Sequence, residues 1–153
     1  MNEEYKLFLQ GARKKQISEH FTLFEICNSA TALAKNIDNR PTAQVVTNAT
    51  ALIKNVLEPI RRHFNSPVIV NCIYRSPALN AEVKGVKTSQ HVTGQAADFT
   101  VQNHSVEEVF LFIKNNLIFD QVIQEGAWIH CSFNSIKNRR QALRLINGKY
   151  IPA

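Results

Sequence analysis

Residues Ser89 to Val101 read Ser-Gln-His-Val-Thr-Gly-Gln-Ala-Ala-Asp-Phe-Thr-Val, and this run constrains the fold more than any other stretch. Val92-Thr93-Gly94 reads as a turn, so His91 and Asp98 cannot share one face of a regular helix. A loop running into a strand fits better. Gly94 permits the bend, and Ala97, Phe99 and Val101 alternate with Asp98 and Thr100. Asp98 is then expected to point away from the apolar face.

A second alternating run follows at Trp128-Ile129-His130-Cys131-Ser132-Phe133. Two neighbouring strands would bring Asp98 and His130 together, with His91 arriving from the loop. Two imidazoles and one carboxylate suit a catalytic zinc site, which keeps three protein ligands and one open position. Zinc is preferred by ligand type, although other divalent metals can occupy such a set.

The pattern Ser89-x-His91-x-x-Gly94-x-Ala96-x-Asp98, followed by Trp128-x-His130, resembles the zinc D-Ala-D-Ala carboxypeptidase and L-alanyl-D-glutamate endopeptidase family of peptidoglycan hydrolases. The fold of that family is shared with the hedgehog signalling domain. Tyr74-Arg75-Ser76-Pro77 and the segment Val56 to Arg61 also look like its small, often phage-encoded members. The resemblance runs from about Phe21 to the C-terminus. It implies His91, Asp98 and His130 as zinc ligands, Arg75 as the grip on a substrate carboxylate, and Ser89 as a substrate contact.

One position departs from the pattern. Many members of that family carry an acidic general base three residues before the second histidine ligand, and here that residue is Ala127. The nearest acid is Glu125. Five extended residues span about 17 Å, too far for a base that must reach the attacking water. Glu125 can serve only if the chain turns or bulges at Gly126. It is the expected catalytic base on that condition. The alternative is a non-catalytic zinc protein that binds cell wall or builds a virion.

The chain of 153 residues is expected to form one domain, residues 1–153, with residues 1–16 as a helical extension. No apolar run approaches the roughly 20 residues of a membrane span, and Met1-Asn2-Glu3-Glu4-Tyr5 lacks the layout of a secretory signal. A wall-directed protein of this kind would be made in the cytoplasm and reach its target by lysis, through a holin or in a phage particle. The net charge of +6 favours polyanions. No aromatic interleaving marks a base-stacking platform, so the expected partner is the peptidoglycan stem peptide rather than nucleic acid. A monomer is expected. Cys27, Cys72 and Cys131 have no metal-knuckle spacing and read as core residues.

The remaining elements follow from periodicity and caps. Tyr5, Phe8, Leu9 and Ala12 give a helical stripe between Asn2 and about Lys15. Thr22 with Glu25, and Ser105 with Glu108, form capping boxes. Pro41 opens a long helix with Val45, Ala49, Leu52, Val56 and Ile60 inward, which Pro59 should kink or end. His20, His63 and His104 read as structural or exposed. Val68 to Ile73 reads as a buried strand ending at Arg75, and Ser76-Pro77 starts a short helix through about Val83. Gln121 to Gln124 and Ala127 to Phe133 read as strands. Arg139 to Ile146 and Lys149 to Ile151 flank Asn147-Gly148, a strong hairpin signal. The expected fold is α+β, with helices on one face of a small, mostly antiparallel sheet and the cleft on the other.

Overall fold

The computed structural model describes residues 2–153. Its centre is a six-stranded sheet in the order β1-β2-β4-β3-β5-β6. The strands are β1 Val68–Cys72, β2 Ala96–Val101, β3 Gln121–Gln124, β4 Ile129–Ser132, β5 Gln141–Ile146 and β6 Lys149–Pro152. Only the β3–β5 pair is parallel. This is the expected α+β architecture.

Strand alternation sorts the side chains between the two faces. Phe99, Ile129, Val122 and Cys131 are buried on one face, beneath Val109, Phe110 and Ile113 of helix α7 (Val106–Asn116). The opposite face carries a row set by register: Asp98 faces His130, His130 faces Ile123, and Ile123 faces Leu143.

The N-terminal half is helical, with α1 Glu3–Ala12, α2 Leu23–Cys27, α3 Ala30–Lys35, α4 Ala43–Leu52 and α5 Glu58–Phe64. α1 is shorter than its stripe suggests, and Tyr5 is fully buried with its hydroxyl donating to the Cys27 carbonyl at 2.6 Å. The Thr22–Glu25 and Ser105–Glu108 capping boxes both form. Thr42 caps α4, so Pro41 lies just before the helix rather than in its first turn. Pro59 is the second residue of α5. A π-helical turn at Ile53–Leu57 precedes it, with the Glu58 N–H reaching back to Ile53 O. The wider turn absorbs the hydrogen bond that proline cannot give. Val45, Ala49, Leu52, Val56 and Ile60 are all buried, as the spacing predicts.

Strand β1 differs from expectation. It is a sheet edge rather than a buried strand, and Ile69 is 47% exposed. Its register slips between Val70 and Cys72, which sets Cys72 opposite Asp98. Helix α6, Pro77–Glu82, follows with Ser76 as its cap. Cys27 and Cys131 are buried, but Cys72 is only partly so.

Candidate functional site

His91 belongs to a loop that is anchored on three sides. Its backbone carbonyl accepts from the Arg75 N–H at 3.1 Å. Asn48 of α4 donates to Thr93 O at 2.9 Å. Gly94 has φ +76°, and a Cβ there would lie 2.8 Å from Val45 O. Glycine is therefore required both by backbone conformation and by close approach.

This anchoring leaves the His91 side chain 2% exposed. Its Nδ1 lies 2.8 Å from the Ile73 carbonyl, an acceptor, which fixes the proton on Nδ1. Nε2 then presents a lone pair, is buried and has no hydrogen-bond partner. It faces Asp98 Oδ2 at 3.2 Å. The other Asp98 oxygen, Oδ1, lies 2.9 Å from His130 Nδ1 across the β2–β4 register. A buried lone pair held against a carboxylate oxygen is unfavourable unless a cation lies between them. The three ligand atoms lie within 4.8 Å of one another, and N, N and O donors match the zinc ligand types. Burial opposes the charge on Asp98, and the hydrogen bond from His130 Nδ1 is the largest of the influences that outweigh it and hold its carboxyl well below the usual carboxylate range.

Glu19, His20 and Glu58 form a second compact cluster. There the buried Glu58 carboxylate already accepts from Ser18 Oγ, the His20 N–H and the His20 ring. Both of its oxygens are already engaged within the protein. His20 is thus a partner of Glu58 rather than a further member of the His91 group.

Glu125 reaches the same cleft because the chain turns where the sequence allows it. The Glu125 N–H donates to Trp128 O at 3.0 Å, and Gly126 adopts φ +92°. β4 therefore begins at Ile129, later than the expected Ala127, and residues 125–128 form the connection. Glu125 continues the face of Ile123 two residues on. Burial is the main influence on its carboxyl and raises it. Nearby Asp98 adds to this, while the Tyr150 hydroxyl and His130 partly offset it.

Arg75 and Ser89 meet at the cleft wall, with Arg75 Nη2 donating to Ser89 Oγ at 3.1 Å. Arg75 makes no ion pair with a carboxylate among the described residues, and its Nε is buried without a partner. The sequence reading overlooked what holds this segment. The fully buried Asn39 accepts from Ser76 N–H at 2.7 Å and donates to Tyr74 O at 3.0 Å and Cys27 O at 2.9 Å. Asn39 lies in a polar loop with no periodic signal.

Two other contributors were also unmarked. Buried Asp120 accepts from Arg139 and from Gln90, the neighbour of His91. Tyr150 of β6 donates its hydroxyl to Glu125 Oε2 at 3.1 Å. The cleft that joins Arg75, Ser89, His91, Asp98, Glu125 and His130 measures about 610 Å³. Trp128, 39% exposed, also lines it.

The family model described as Peptidase M15 matches residues 19–132 of the chain. No curated protein gives a significant match.

Proposed function

The chain belongs to the peptidase M15 family of metallopeptidases, and from that premise we propose that it is a zinc enzyme hydrolysing a peptide bond of the peptidoglycan stem peptide or cross-link. The observation that carries the choice of metal centre is the buried, unpartnered His91 Nε2 facing Asp98 Oδ2 at 3.2 Å, with His130 on the other carboxylate oxygen. His91, Asp98 and His130 would hold the ion. When bound, zinc supplies Lewis acidity that activates water and polarises a carbonyl.

The other roles belong to the chain itself. Glu125 accepts the proton of the attacking water and passes it to the leaving amine. Its raised carboxyl suits the first of these steps, because a carboxylate of higher pKa is the stronger base. Arg75 receives a substrate carboxylate. Its planar guanidinium matches a carboxylate with two parallel hydrogen bonds, and it makes no ion pair with an acid among the described residues. Ser89 fixes the guanidinium from the side. Trp128 and Ile123 line the cleft beside these groups.

The substrate class sits well with the rest of the chain. A net charge of +6 favours an anionic wall. No helix among the described residues is long and apolar enough to cross a membrane. The working site would be the wall, reached through lysis, a holin or a phage particle.

Metal analysis of purified protein tests the reading. One equivalent of zinc per chain is expected, with chelator-sensitive release of amino groups from purified peptidoglycan. Absence of zinc both as purified and after titration would overturn it.

A further inference from the structure

The match to the peptidase family ends at Ser132, and β5 and β6 follow it. Those two strands build one wall of the cleft. The parallel register runs from Gln121 opposite Gln141 to Gln124 opposite Arg144. Extending that register by one step past the end of β3 would set Glu125 beside Leu145, and Leu145 pairs with Tyr150 across the hairpin. Glu125, at the exit of β3, and Tyr150, two strands away on β6, both line the cleft that carries Asp98 and His130. Two strand spacings amount to about 10 Å. A glutamate and a tyrosine leaning toward each other cover that distance, and they meet at 3.1 Å.

Three features set this contact apart from ordinary edge packing. Tyr150 is 54% exposed, so its ring is not held there by a core. Its hydroxyl binds one oxygen of the carboxylate, Oε2, and Oε1 has no protein hydrogen bond among the described residues. Glu125 lies just past the end of β3, directly before Gly126 with its φ of +92°, and the Tyr150 hydroxyl is the hydrogen-bond partner of its carboxylate among the described residues.

We propose that Tyr150 is a positioning residue for Glu125, its hydroxyl fixing Oε2 so that Oε1 is presented to the reacting water. The proposal rests on the role of Glu125 as general base given above. The closing hairpin then supplies more than two edge strands: it completes the catalytic geometry from outside the matched segment. A misplaced catalytic group loses rate far more than binding, because the reacting atoms must approach in one orientation.

Steady-state hydrolysis of purified peptidoglycan fragments by the zinc-loaded full chain tests this. The variants are Tyr150→Phe, Glu125→Ala and the double variant. Tyr150→Phe is expected to lower kcat by about 10- to 100-fold, with KM, zinc content and Tm unchanged. In the Glu125→Ala background, where residual turnover is followed by mass spectrometry over long incubations, Tyr150→Phe should cause no further loss. An unchanged kcat in Tyr150→Phe would overturn the proposal. So would a rise in KM alone, which marks a substrate contact, or an equal loss in both backgrounds. If the zinc-loaded wild type cuts no peptide bond, the functional reading fails and this inference with it. An active wild type that is insensitive at Tyr150 removes the inference alone.

Discussion

Asp98 and His130 stand directly opposite each other on β2 and β4, and their side chains meet at 2.9 Å. His91 closes on the second Asp98 oxygen at 3.2 Å without a hydrogen bond. The folded chain thus brings three ligand atoms together that an unfolded chain does not. Zinc should therefore stabilise the fold. At free zinc 100 times its Kd the gain is about 2.7 kcal/mol, and about 2–4 °C per kcal/mol is expected for a chain of this size. Thermal unfolding of chelated and zinc-loaded protein should differ by roughly 5–10 °C. In His91→Ala the difference should vanish.

Replacing Glu125 separates chemistry from metal binding. Glu125→Gln keeps the shape and the Tyr150 contact but removes the basic carboxylate. kcat should fall by about 10²- to 10⁴-fold, while zinc content stays at one per chain. Full activity in this variant would remove Glu125 from the mechanism.

Gly94 joins loop conformation to the site. Gly94→Ala must adopt φ +76° and places a methyl 2.8 Å from the Val45 carbonyl. The expected loss is about 1–3 kcal/mol of stability, read by denaturant unfolding. Zinc affinity should weaken as well, because the same loop delivers His91. Wild-type stability in Gly94→Ala would show that α4 gives way and does not hold the loop.

Asn39 is the corresponding support for Arg75. Asn39→Ala strands the Ser76 N–H and removes the donor shared by Tyr74 O and Cys27 O. Each buried group left unpaired costs about 1–3 kcal/mol. A lowered Tm is expected together with a raised KM, since Tyr74 and Ser76 flank Arg75.

Acid should unfold the protein through buried carboxylates whose charge is held by hydrogen bonds. Burial opposes the charge on Asp120, yet Arg139 and Gln90 outweigh it and hold the carboxyl below its ordinary value. Glu58 is likewise lowered against burial, by Ser18 and His20. A folded pKa below the unfolded one gives stability that is complete above the unfolded value and lost as pH falls through the folded value. Stability from this source should hold at neutral pH and decline below about pH 4. Asp120→Asn should be less stable at pH 7 and should show a shallower acid decline in melts taken across pH 3 to 7.

Much of the site was legible because its signals are local. His91, Gly94 and Asp98 lie within one loop and strand, and alternation alone turns Asp98 and His130 to the face opposite Phe99 and Cys131. Glu125 was legible only as a condition on Gly126, because a positive φ is a property glycine permits without announcing. Tyr150 and Asn39 could not be read. Their contacts depend on the β3–β5 register and on a loop meeting Tyr74 and Ser76, pairings that leave no periodic trace. Pro59 marks a break in the regular α-helix, and the sequence does not show that the break takes the form of a π turn just before it. The burial of β1 was misread for a similar reason: apolar residues in a row do not say whether a strand is central or at an edge.

Metal-dependent cleavage of wall peptide by this cleft is open to direct measurement. Muropeptide mass spectrometry tests it most directly, with purified peptidoglycan incubated with zinc-loaded protein, chelated protein and chelated protein given zinc again. New fragments are expected in the first and third samples and none in the second, with masses that identify the bond cut. Intact muropeptides in all three samples, with zinc confirmed in the protein, would contradict it.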